Sequence, residues 1–101
     1  MKIELYYFEG CPTYQQTRIN LEKALNQLGI EADIAMILVE SPEHAEQLRF
    51  QGSPSICIDG NDMDRKDEPA LFGCRIYQID GKLTGVPTTD YIENRIRQNF
   101  R

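Results

Sequence analysis

The sequence predicts one α/β domain, a four-stranded mixed sheet flanked by helices in the order βαβαββα. Two observations lead there. Short apolar runs bounded by turn residues alternate with longer stretches whose apolar residues recur every three or four positions. The first half alternates strand and helix, whereas the second places two strand-like runs together before a last helix. A length of 101 residues suits a single domain over 1–101.

The first strand is the run Ile3 to Phe8, mostly apolar and stopped by Glu9-Gly10. Pro12 then suits a first helical turn, where its missing N–H costs nothing. Tyr14, Thr17, Leu21, Ala24, Leu25 and Leu28 follow on one stripe, and Gly29 stands where a helix commonly ends. That predicts a helix of about four turns. In residues 30 to 39, Ile30, Ala32, Ile34, Met36 and Leu38 share one parity, which predicts a second strand. Strand, long helix, strand implies a parallel right-handed crossover.

Ser41-Pro42-Glu43 starts a short helix: a capping hydroxyl, proline at the first position, an acid in the first turn. It carries Ala45, Leu48 and Phe50 and is expected to stop at Gly52. Ser53 to Ile58 reads as a third strand ending in the turn Asp59-Gly60. Residues 60 to 73 hold Asp62, Asp64, Asp67 and Glu68 around Arg65 and Lys66 and are expected to be a solvated loop. Cys74 to Ile79 is the expected fourth strand, closed by Asp80-Gly81. Thr88 or Thr89 caps a final helix with Ile92, Ile96 and Phe100 on one face. Asp90 and Glu93 near its start and Arg97 and Arg101 near its end suit the helix dipole.

Composition excludes some functions. Eleven Lys and Arg stand against sixteen Asp and Glu, a net charge of -5, with no basic run to neutralise a phosphate backbone. Nucleic acid is therefore not an expected partner, and neither is a membrane, since no stretch reaches the roughly 18 apolar residues of a spanning helix. The opening residues lack the long apolar core of a signal peptide, so a cytoplasmic location is expected. Asp59 to Asp64 superficially suggests a calcium loop but fails its template, with Met63 and Asp64 where an oxygen ligand and a glycine belong. His44, the only histidine, is expected on the surface. No metal site and no cofactor are expected as a resident part of the fold.

The three cysteines, Cys11, Cys57 and Cys74, carry the chemistry. An odd count argues against a disulfide framework. Cys57, between Ile56 and Ile58 in a strand, reads as a small buried hydrophobe facing away from its neighbours. Cys11 differs. It lies directly after a strand and at the start of a helix, where unpaired N–H groups and the dipole favour the thiolate. A thiolate is the form that attacks disulfides or binds soft metals.

A cysteine at the first strand-to-helix junction, together with Gly52-Ser53-Pro54 before the third strand, resembles the thioredoxin-like superfamily over nearly the whole chain. Gly10-Cys11-Pro12, Gly52-Ser53-Pro54 and Cys74-Arg75-Ile76-Tyr77 together are similar to those of a group of short bacterial thioredoxin-like proteins. The resemblance implies a cis peptide at Ser53–Pro54 and thiol–disulfide exchange at Cys11. The implied partner is a disulfide-containing protein or a small-molecule thiol. Pro12, Tyr14, Ser53 and Pro54 become candidate substrate contacts. Read from the residue itself, the Tyr14 ring is expected to pack, with a hydrogen bond from its phenol to the Cys11 thiolate as the alternative.

The sequence also departs from that family. Position 14 holds Tyr14 where the Cys-x-x-Cys pattern has its second thiol. A resolving thiol must come from Cys74 or from a small molecule. Two alternatives stay open. Cys11 and Cys74 could together hold a soft metal ion, or the domain could be a non-catalytic binding scaffold.

Overall fold

The computed structural model describes residues 1–100, and for Phe100 the backbone alone. The expected roles of the Phe100 side chain and of Arg101 lie outside the described residues. The elements in order are β1 (Ile3–Tyr7), α1 (Tyr14–Gln27), β2 (Ile34–Leu38), α2 (Pro42–Leu48), β3 (Gln51–Ser53), β4 (Ser55–Ile58), β5 (Asn61–Asp62), β6 (Leu71–Cys74), β7 (Tyr77–Ile79), β8 (Lys82–Thr84) and α3 (Thr89–Phe100).

The main sheet is mixed and four-stranded, in the order β2-β1-β4-β5. β1 pairs parallel with β2, Ile3 opposite Ile34, and antiparallel with β4, Ile3 opposite Ile58. Alternation along β1 divides the core. Ile3 and Leu5 join Ile56 and Ile58 of β4 against Leu21, Ala24 and Leu25 of α1 and Ile92 and Ile96 of α3. Tyr6, of opposite parity, packs with Val39, Phe50 and Ala45 of α2 on the other face. Each fully buried Leu or Ile contributes about 1.5–3 kcal/mol of transfer free energy, so the α1/α3 face dominates stability.

Several boundaries differ from the expected ones. β2 begins at Ile34 because β1 begins at Ile3; residues 30 to 33 have no β1 neighbour to pair with. They still use their apolar side chains, since Ile30 and Ala32 pack on the core. α2 ends before Gly52. Arg49 adopts a left-handed conformation (φ 57°), and the Phe50 N–H closes back on the Ala45 carbonyl at 2.8 Å. That is the usual left-handed helix termination, here without glycine.

The largest correction concerns residues 60 to 79. The fourth strand of the main sheet is Asn61–Asp62, joined to β4 through the Asp59-Gly60 turn, and is not Cys74 to Ile79. Cys74 ends β6, which pairs parallel with β3 in a separate two-stranded sheet. Tyr77 to Ile79 pairs with β8 across Asp80-Gly81. The expected solvated loop is therefore structured at both ends, and Met63 and Asp64 within it are buried.

Candidate functional site

The chain leaves β1, makes a turn closed by the Cys11 N–H on the Phe8 carbonyl (3.1 Å), and enters α1 at Tyr14. The helix therefore starts two residues later than Pro12, with Thr13 at the capping position. Thr13 does not cap with its hydroxyl. That hydroxyl lies 3.5 Å from the Cys11 sulfur and donates to the Gly85 carbonyl at 2.9 Å. The first N–H groups of α1 consequently have no side-chain acceptor from Thr13, and its first turn carries no acid.

Cys11 is 4% exposed. Burial pushes its thiol up, but the Ser53 and Thr13 hydroxyls and the backbone N–H groups of Thr13 and Tyr14 together more than offset this. The thiol sits below its ordinary value of 9.0. Ser53 Oγ is buried and makes no hydrogen bond of regular geometry. It lies close enough to the sulfur to favour the thiolate. A buried hydroxyl without a partner costs about 1–3 kcal/mol, a cost returned when it donates to an anion.

Ser53 is held by an extensive polar network. The Ser53–Pro54 peptide is cis. The Arg75 N–H donates to the Ser53 carbonyl at 2.9 Å, and Tyr77 Oη donates to the Pro54 carbonyl at 2.5 Å. The Arg75 guanidinium reaches Ser55 Oγ (2.9 Å), the Asp62 carboxylate (2.7 Å) and the Asp64 carbonyl (2.5 Å). Ser55 Oγ donates in turn to the Gly52 carbonyl. Asp64 accepts from Tyr91 Oη at 2.6 Å and pairs with Arg95 at 2.9 Å. Burial, then the bond to Asp64, pushes Tyr91 up to about 12, so this phenol stays a neutral donor.

These contacts give structural meaning to the Cys74-Arg75-x-Tyr77 motif. Arg75, through its backbone N–H, and Tyr77, through its hydroxyl, hold the carbonyl of the cis peptide and the carbonyl that follows it. Sequence reasoning missed that role, and it missed Thr13. The available signal for Thr13 was a hydroxyl two residues after the thiol. For Asp62 and Asp64 it was the placement of two acids directly after an Asp-Gly hairpin turn.

Among the described residues, the side chains of the other candidates make no hydrogen bond to the sulfur. Pro12 is exposed. The Tyr14 ring stacks on Tyr7 at 4.3 Å, and its hydroxyl accepts from Gln15, so only its backbone serves Cys11. This is the packing role expected of the ring; the alternative of a phenol donor to the thiolate is not formed. Cys74 sits opposite Ser53 in the β3–β6 pair and is exposed. It lines a small cavity with Gln51, Glu68 and Leu71 that Cys11 does not line. All three thiols are free.

Cys57 faces away from the α1/α3 core, in register with Glu4 and Asp62. Burial first, then the Asp62 and Glu4 carboxylates, push its thiol up to about 12. His44 is half-buried, and its Nδ1 accepts from the Glu40 N–H at 3.1 Å. Among the described residues, no group of three or more His, Cys, Asp or Glu is placed to hold a metal ion. No described helix is long and apolar enough to cross a membrane. No protein-family model, no curated protein and no solved structure matches this chain.

Proposed function

We propose that this chain is a thioredoxin-like thiol–disulfide exchange protein whose nucleophile is Cys11. The observation that carries this reading is the unpaired, buried Ser53 hydroxyl beside a sulfur that also faces Thr13 and the start of α1. The parallel β1–α1–β2 unit and the cis Ser53–Pro54 peptide support the family assignment.

In the exchange, the Cys11 thiolate attacks one sulfur of a disulfide. The substrate S–S bond breaks, the other half leaves as a thiolate, and a mixed disulfide forms on Cys11 with no net oxidation. A second thiol, either Cys74 or a small molecule, then attacks this bond and releases Cys11. Cys74 would have to approach from its neighbouring position on β6. The Ser53 and Pro54 carbonyls already accept internal bonds, so Pro54 acts by fixing Ser53 beside the sulfur.

The test is the pH dependence of Cys11 alkylation by iodoacetamide, followed by mass spectrometry with Cys11→Ser as control. The expected result is a midpoint below that of a free thiol. An ordinary midpoint with slow alkylation would leave a non-catalytic scaffold.

A further inference from the structure

Beside the Cys11 turn lies a cavity of about 460 Å3 walled by Phe8, Glu9, Gly10, Leu38, Val39, Glu40 and Phe72. Cys11 does not line it, but its place in the fold ties it on one side to the Cys11 turn and on the other to the strand beside Ser53. Gly10 precedes Cys11, and the Phe8 carbonyl holds the Cys11 N–H. Phe72 belongs to β6, whose Cys74 lies opposite Ser53.

The walls are of two kinds. The Phe8 and Phe72 rings meet at 5.6 Å, tilted by 52°, and Phe72 and Leu38 remain more than a third exposed. A β-carbon at position 10 would come within 3.0 Å of the Phe8 ring, so the bare glycine lets that ring lie over the turn. The second kind is acidic. Glu9 and Glu40 are exposed, and neither has an ion-pair partner among the described residues. The Glu40 backbone is fixed by its bond to His44.

We infer that this cavity selects the substrate of Cys11, and that the substrate is a polypeptide disulfide with an apolar side chain and a basic residue next to its cysteine. The apolar group fills the Phe8–Phe72–Leu38 wall, and the basic group meets Glu9 and Glu40. Water-exposed rings gain by being covered, and two unpaired carboxylates beside them reject anionic partners while attracting cationic ones. An anionic small-molecule disulfide is disfavoured on the same grounds. The inference rests on the proposed nucleophilic role of Cys11. In the exchange the Cys11 thiolate attacks the peptide disulfide, the S–S bond breaks, and the leaving peptide departs as its thiolate.

The test compares second-order rate constants for mixed-disulfide formation on Cys11 at low ionic strength. The probes are the symmetric disulfides of three blocked tripeptides, Cys-Phe-Arg, Cys-Gly-Arg and Cys-Phe-Glu, beside the neutral bis(2-hydroxyethyl) disulfide. Cys-Phe-Arg is expected to react about tenfold faster than Cys-Phe-Glu, the product of modest attractions at two exposed carboxylates. Glu9→Gln with Glu40→Gln should remove most of that ratio. Phe72→Ala should remove the advantage of Cys-Phe-Arg over Cys-Gly-Arg.

Equal rates for the three peptides, with a normal reaction of the neutral disulfide, would overturn the cavity assignment and leave the thiolate intact. An equal loss in Glu31→Gln with Asp33→Gln, at the opposite end of β2, would overturn it too, by assigning the preference to net charge. Failure of the neutral disulfide as well would remove the nucleophile and the inference together.

Discussion

Cys11 and Cys57 are the same side chain in two settings, and their acidities move in opposite directions. Burial works against ionisation at both. At Cys11 the neighbours are hydroxyl and backbone N–H donors, and the thiol falls below its ordinary value. At Cys57 they include the carboxylates of Asp62 and Glu4, and the thiol rises to about 12. Withdrawal from water therefore does not decide reactivity. The polarity of the groups that replace the water does.

The comparison predicts its own largest effect. At pH 7.5, iodoacetamide should label Cys11 tens of times faster than Cys57, because the thiolate fraction favours Cys11 and the stronger nucleophilicity of the more basic thiolate offsets only part of that. Peptide mapping over time measures both rates in one sample. Comparable labelling of the two thiols would break the contrast outright.

Asp62→Asn would sharpen it from the other side. The Arg75–Asp62 pair is almost fully buried, and removing one partner of such a pair typically costs about 3–5 kcal/mol. Urea unfolding should show that loss. In the folded fraction, Cys57 should become more acidic, since a negative neighbour is gone.

Smaller effects come from the hydroxyls. Ser53→Ala should raise the Cys11 midpoint and slow its alkylation at pH 7 by roughly tenfold, the worth of a hydrogen bond to a charged group. Ser53 has no regular hydrogen bond to lose, so stability in urea should hold or rise. Thr13→Val should lose the bond to Gly85 and move the sulfur less than Ser53→Ala, because the single Thr13 hydroxyl proton is already donated to that carbonyl; Thr13→Ser should restore both.

At neutral pH the smallest effects are those of the two thiols on stability, which emerge only as pH changes and have opposite signs. Cys11 is depressed in the folded chain. Its ionisation therefore adds stability as pH rises from its folded value toward the ordinary 9.0, and that contribution is lost again as pH falls. Cys57 is raised. Its contribution is complete below 9.0 and is lost as pH climbs toward about 12. Thermal unfolding of Cys57→Ala should accordingly show a shallower alkaline decline than the parent.

The sequence was most legible where its signals are local. β1, α1 and the Ser41 cap each announce themselves within a few residues, and the Ser41 hydroxyl does accept the His44 N–H. Cys11 was legible for the same reason, being placed by one strand end and one helix start. Residues 60 to 79 were not. Asp62 and Asp64 look solvated beside Arg65 and Lys66, but their partners are Arg75, Tyr91 and Arg95, 11 or more residues away. Only the folded chain brings those charges together, so local patterning carries no sign of it. Ser53 was visible as the residue before a proline, whereas the lack of a regular hydrogen bond at its hydroxyl among the described residues is a three-dimensional fact.

Gly52 has the backbone angle φ 107°, and a β-carbon there would lie 2.9 Å from the Arg75 Cβ and 3.1 Å from its Cα. Position 52 is thus a point of mutational intolerance a full residue away from the site. Any side chain would need a rare backbone conformation and would push Arg75 off the strand it rests on. In a survey of all single substitutions, this glycine should behave as strictly as the cysteine itself. Its cause would differ: one position is fixed by the atom it supplies, the other by the atom it omits.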